Sequence, residues 1–91
     1  MKTEKENYVA PKTNLQKQLV TIWEKVLNTR PIGINNNFFE LGGDSLLAMN
    51  LNFELNKLSK NITYQDIFKY PTIAELEEKI IYKSDEPLFN K

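Results

Sequence analysis

The stretch Phe38-Phe39-Glu40-Leu41-Gly42-Gly43-Asp44-Ser45-Leu46-Leu47-Ala48 marks the point where a loop gives way to a helix, and the rest of the chain is read outward from it. Two glycines permit a tight turn and the close approach of another molecule's backbone. Asp44 and Ser45 are both good residues for starting a helix. From there no strong breaker intervenes before Ser59-Lys60-Asn61, so a helix is expected from Asp44 or Ser45 to about Leu58. Unpaired amides at such a start favour an incoming phosphate, and Ser45 is expected to present its hydroxyl at an exposed corner beside a mildly positive dipole. Taken locally, the same residues also suit a plain helix cap preceded by a turn.

Upstream, Asn28 to Gly43 holds Pro31, Gly33, three successive asparagines and the glycine pair, which favour turns over regular structure. Loops this long in small domains carry function or need pinning, and Ile34, Phe38, Phe39 and Leu41 are apolar enough to pin it, so it is expected to be ordered. Ahead of it, Thr13 and Gln16 form a capping-box signature, and Leu15, Leu19, Ile22, Trp23, Val26 and Leu27 recur at helical spacing. A first helix from about Asn14 to Leu27 follows. Residues 1–12 show no periodicity and read as a linker or tail.

Downstream, a short helical turn from Thr63 to Phe68 leads to Tyr70-Pro71. Thr72 then caps a last helix, with Glu75 completing a second capping box and Ile73, Leu76 and Ile80 on its apolar side. After Tyr82 the chain turns polar, and with Pro87 residues 83–91 read as a C-terminal linker. The expected fold is all-α, with three main helices, one short helix and a long ordered loop between the first two. The domain itself spans 13–82.

The second helix has two apolar sides. At about 100° per residue, with Leu46 at zero, Leu47, Leu51, Leu55 and Leu58 fall between roughly 100° and 180° and form the core face. Leu46, Met49 and Phe53 fall between roughly 300° and 360°. For Phe53 the preferred account is packing on the loop or the third helix; for Leu46 and Met49, next to Ser45, it is a partner-docking patch.

Composition removes whole classes of function. In 91 residues with 41% hydrophobic content, twelve basic residues cancel twelve acidic ones, so nothing in the net charge draws the chain to nucleic acid or to an anionic membrane. No cysteine and no histidine are present. That excludes disulfides, thiolate catalysis, the commonest zinc ligands and histidine acid–base arrangements. No apolar run is long enough to span a bilayer and no signal sequence is visible, so a soluble, cytoplasmic protein is expected. Asn61-Ile62-Thr63, formally a glycosylation sequon, reads as a helix start. The glycine pair lacks the Gly-Lys-Ser/Thr ending of a nucleotide loop, and Ser45 lacks both a histidine base and a hydrolase elbow. The asparagine-rich loop lacks the acidic ligands of an EF-hand. No catalytic residue and no metal site is identified; what remains is a serine that another protein modifies.

On these residues the chain resembles the peptidyl carrier (thiolation) domains of nonribosomal peptide synthetases, whose signature FFELGGDSLLA is similar to. The resemblance extends through Tyr8 to Thr13, Leu19 to Leu27, Ile32-Gly33-Ile34 and the Ile67 to Leu76 stretch, covering about residues 8 to 82. It implies an acyl-carrier-like bundle and a noncatalytic carrier. Ser45, flanked by Gly43 and Asp44, would bear covalent 4′-phosphopantetheine drawn from coenzyme A, the arm's thiol holding aminoacyl or peptidyl thioesters. The implied partners are a phosphopantetheinyl transferase, working with magnesium, and adenylation, condensation, epimerisation or thioesterase domains. Leu46, Met49 and Phe53 are the candidate contact residues, and an excised domain is expected to be monomeric. Where such domains often carry an aspartate this chain has Asn36, and where they commonly carry histidine before the serine it has Asp44, the version similar to carriers that precede epimerisation domains. An acyl carrier protein of polyketide or fatty-acid synthesis shares this fold, but its second helix is often strongly acidic, whereas here only Asp44 and Glu54 are acidic between residues 44 and 58. A helix-turn-helix DNA binder would need a short turn and a basic surface. An unmodified helical interaction domain is the remaining alternative.

Overall fold

A computed structural model of the chain describes residues 8–58 and 61–85, with side chains described as far as residue 81. Among the described residues there are four helices: α1 (Asn14–Leu27), α2 (Ser45–Leu58), α3 (Tyr64–Lys69) and α4 (Ile73–Asp85). The expected all-α order, with one short helix and a long loop between the first two, is what the chain adopts. Residues 1–7, Ser59-Lys60 of the expected break and residues 86–91 of the expected C-terminal linker lie outside the described residues.

Side chains placed at the helix starts fix the boundaries. Thr13 accepts the amide of Gln16 at 3.0 Å while the Gln16 side chain accepts the Thr13 amide, closing the expected capping box. Asn28 ends α1 in the left-handed region at φ 52°, where asparagine is among the better-tolerated residues. Thr63 and Asp66 form a second full capping box at α3, which fits the reading of Asn61-Ile62-Thr63 as a helix start. At α4 the Thr72 hydroxyl accepts the Glu75 amide, but the return bond runs from that hydroxyl to the Glu75 carboxylate instead of from the Thr72 amide. Helix α4 runs to Asp85, three residues beyond the expected end at Tyr82, because the polar residues there do not break a helix.

Helix α1 packs against α2 and α4, and α2 against α3. Leu19 and Trp23 of α1, Leu51 and Leu55 of α2, Ile67 of α3, and Ile73 and Leu76 of α4 are fully buried. Each such aliphatic side chain is worth about 1.5–3 kcal/mol of burial. The core face of α2 is centred on Ala48, Leu51 and Leu55, with Leu47 and Leu58 half-buried at its margins. The long loop supplies Ile32, Ile34 and Phe38 to the same core, with Phe39 and Leu41 half-buried beside it. That burial is the physical reason the loop is ordered without regular structure.

The lead-in to α1 departs from the expected linker. The Val9 carbonyl accepts the Ile34 amide at 2.9 Å, and Val9 packs against the core. Among the described residues, no helix is long and apolar enough to cross a membrane.

Candidate functional site

Phe38 is the anchor of the turn that leads to Ser45. Its amide donates to the Pro71 carbonyl at 2.8 Å, and its buried ring meets Trp23 edge-on at 5.2 Å. Asn37 then organises the turn, its side-chain oxygen accepting the amides of Phe39 at 2.8 Å and Glu40 at 3.2 Å. Backbone bonds from Gly42 to Phe39 and from Gly43 to Phe38 wind the chain back over the Phe38 ring. The two glycines serve different ends. Gly42 sits at φ 113°, a conformation that disfavours any side chain, in otherwise open space. Gly43 has ordinary φ, but a Cβ there would overlap the Phe38 ring and lie 2.8 Å from the Phe38 carbonyl oxygen.

The next residue settles which side chain caps α2. Asp44 accepts the Leu47 amide on its carboxylate at 2.9 Å and the Ala48 amide on its carbonyl at 2.8 Å. Capping therefore falls to Asp44, and Ser45 is the first helical residue, exposed, with no hydrogen bond to its hydroxyl among the described residues. A serine used as a cap would have its oxygen engaged; this one is free to be modified. Asp44 also changes the electrostatic expectation: its carboxylate already meets the positive end of the helix, so that end attracts a second anion less than a bare one would.

The remaining candidates line up on one side of α2. Leu46 is 66% exposed, Met49 57% and Phe53 65%. The preferred packing account for Phe53 is thus incorrect: neither the loop nor α3 covers its ring, and its recorded neighbour is the Lys57 ammonium, 4.9 Å from the ring centroid. Periodicity gave the direction of Phe53 but not what lies in that direction. Met49 and Phe53 border a groove of about 760 Å³ whose other walls include Asn56, Ile62 and Tyr64.

Tyr64 is a site residue the sequence reading missed. Its hydroxyl donates to the Ser45 carbonyl over a long 3.4 Å, and its ring meets Phe68 edge-on at 5.0 Å. Phe68 stacks on Phe39 at 5.0 Å, and Phe39 meets Phe38 at 5.2 Å. A chain of five aromatic rings thus runs from Trp23 in the core to the serine's own backbone. The Thr63–Asp66 capping pair was the available signal, since it makes Tyr64 the first residue of α3.

Among the described residues, no group of three or more acidic, histidine or cysteine side chains stands ready to hold a metal ion. The arrangement offers an exposed hydroxyl on a fixed turn, in a chain with no histidine to act as its base, with an apolar strip running away from it. Such a site fits a group attached covalently by an outside catalyst.

Comparison with known proteins agrees with this geometry. The family described as "Phosphopantetheine attachment site" matches residues 17–80. Tyrocidine synthase 2 of Brevibacillus parabrevis is 41% identical over 81 residues, covering 89% of this chain and 2% of the synthase. Gramicidin S synthase 1 of Brevibacillus brevis is 41% identical over 70 residues, covering 77% of the chain and 6% of the synthase. The chain therefore spans only a few per cent of these relatives' length. Among solved structures, a peptidyl carrier protein in complex with the phosphopantetheine transferase Sfp and coenzyme A has a TM-score of 0.78 and 34% identity, covering 82% of this chain and 99% of that one. A thiolation–docking domain complex of the Pax synthetase has a TM-score of 0.80 and 38% identity, covering 91% and 81%. The family match over residues 17–80, together with a peptidyl carrier protein aligned over 82% of this chain and 99% of its own length, places this chain in the phosphopantetheine attachment family as a peptidyl carrier domain.

Proposed function

We propose that Ser45 is the attachment point of the 4′-phosphopantetheine arm and that the domain carries aminoacyl or peptidyl thioesters in nonribosomal peptide synthesis. The observation that carries this reading is the division of labour at the start of α2: Asp44 caps the helix, leaving the Ser45 hydroxyl exposed and unengaged. In the transfer, the Ser45 oxygen forms a bond to the pantetheine-side phosphorus of coenzyme A. The pyrophosphate linkage breaks, adenosine 3′,5′-bisphosphate leaves, and the serine proton passes to a base of the transferase. This chain, with no histidine, contributes the nucleophilic oxygen and its placement; base and magnesium come with the transferase. Once attached, the arm supplies the thiol that a cysteine-free chain lacks.

Leu46, Met49 and Phe53 are the proposed contacts for the transferase and for adenylation, condensation, epimerisation or thioesterase domains. A small apolar strip suits partners that must release the carrier quickly. The charge pattern supports the peptidyl type over an acyl carrier, since Glu54 lies between Lys25 at 3.4 Å and Lys57 at 3.5 Å and presents no acidic stripe. We place this work in the cytoplasm and take residues 13–82, together with the packed lead-in at Val9, as the carrier unit.

The test is intact mass after incubation with a broad-specificity transferase and coenzyme A. A gain of one phosphopantetheinyl group that disappears in Ser45→Ala is expected. No gain on the native chain, or one that persists in Ser45→Ala, sinks the proposal.

A further inference from the structure

The segment ahead of α1 is bonded to the domain at both ends. At its start, the Ile34 amide donates to the Val9 carbonyl at 2.9 Å, and Gly33 lies so close that a Cβ there would stand 2.9 Å from the Val9 nitrogen and 3.0 Å from the Tyr8 ring. At its end, the amides of Lys12 and Thr13 donate to the Gln16 side-chain oxygen at 2.8 and 3.3 Å. The Thr13 hydroxyl and the Gln16 amide group then donate to the two carboxylate oxygens of Glu77 on α4, at 2.7 and 2.8 Å. This segment lies ahead of the family match at residues 17–80.

The loop it holds is joined without a gap to the Ser45 corner. Gly33 donates its amide to the buried Asn36 side chain at 2.7 Å, and the Ile34 carbonyl accepts the Ala74 amide of α4 at 3.0 Å. Four residues after Ile34, the Phe38 amide donates to Pro71, and the Phe38 carbonyl accepts the Gly43 amide at 3.0 Å, directly before the cap of α2. Each bond locates the next, and the Phe38 ring lies directly against Gly43.

We propose that residues 8–13 are a strap that keeps the loop in register, so that releasing the chain ahead of α1 loosens the turn presenting Ser45. The strap makes the preceding polypeptide a conformational input to the attachment corner. Its structural half stands by itself; the consequence for arm attachment rests on the carrier reading above.

Gly33→Ala isolates the contact. Gly42, not Gly33, is the described glycine with positive φ, so the added methyl strains no backbone and conflicts first with Val9 and Tyr8. Amide hydrogen exchange is followed by NMR on the full chain, native and variant. The Ile34 and Gly43 amides should both exchange about fivefold faster, the size set by losing one ordinary hydrogen bond, while Leu51 and Leu55 in α2 keep their native protection. The rate of phosphopantetheinylation should fall by a similar factor. An unchanged Ile34 rate, or a faster Ile34 with an unchanged Gly43, overturns the proposal. If Gly33→Ala does not fold, a chain beginning at Pro11, which removes Val9 without touching the loop, is held to the same two amides. Failure of the native chain to accept the arm would count against the carrier reading and leave the exchange result standing.

Discussion

Gly43→Ala places one methyl group where the structure has least room. The new Cβ would overlap the Phe38 ring and approach the Phe38 carbonyl oxygen to 2.8 Å. Phe38 cannot turn aside freely, because it is fully buried with Trp23 and Phe39 each at 5.2 Å between ring centroids. Moving the backbone instead stretches the 3.0 Å bond from the Gly43 amide to Phe38. Overpacking of about 1–3 kcal/mol together with one lost bond of about 1 kcal/mol gives a destabilisation of about 2–4 kcal/mol. Urea titration followed by far-UV circular dichroism measures it, with Trp23, the chain's one tryptophan, as a fluorescence probe in contact with Phe38. The native-state emission of the variant should shift as the Phe38 ring moves. Gly42→Ala is the control: nothing lies within 4 Å of its Cβ, so it should cost about 1–2 kcal/mol through its φ alone and leave the emission unchanged. Combining Gly43→Ala with Phe38→Leu should cost less than the sum of the two. Gly43→Ala within about 0.5 kcal/mol of native stability, with native emission, would refute the close-approach argument.

Substitutions at three further positions separate packing, docking and capping. Leu51→Ala should lower stability by about 2–5 kcal/mol in the same titration, since Leu51 is fully buried on the core face of α2. Met49→Glu should leave helicity native and stability within about 0.5 kcal/mol while slowing arm transfer; unfolding would place Met49 in the core instead. Asp44→Ala should cost about 0.5–2 kcal/mol by removing the Leu47 acceptor, and Asp44→Asn, which keeps a capping oxygen, should restore nearly all of it.

Much of this architecture was legible because its determinants are local. Thr13 with Gln16 marked the start of α1 correctly, since a capping box lies within four residues and needs no tertiary partner. The apolar residues of the loop were likewise readable as pins, and Phe38 proved to be the deepest of them on the way to Ser45. What escaped the sequence depends on distant backbone. The strap at Tyr8 to Thr13 is held through the main chain of Ile34 and the carboxylate of Glu77, neither of which leaves a periodic trace. The three asparagines looked alike as turn formers, yet Asn36 is buried against Gly33, Asn37 organises the following turn and Asn35 is exposed. Sequence could not choose between Asp44 and Ser45 as the cap, because both side chains suit the position. Geometry assigns the cap to Asp44, and the freedom of Ser45 follows from that assignment.

The central claim is that one particular oxygen takes the arm. Ser45, Ser59 and Ser84 are the chain's serines, so fragment-ion mapping of the protein after transferase treatment can distinguish them. The account requires the added phosphopantetheine on the peptide containing Ser45, with fragments bracketing that residue. A modified Ser59 or Ser84 peptide, or an unmodified Ser45 peptide from protein that has gained mass, would contradict it.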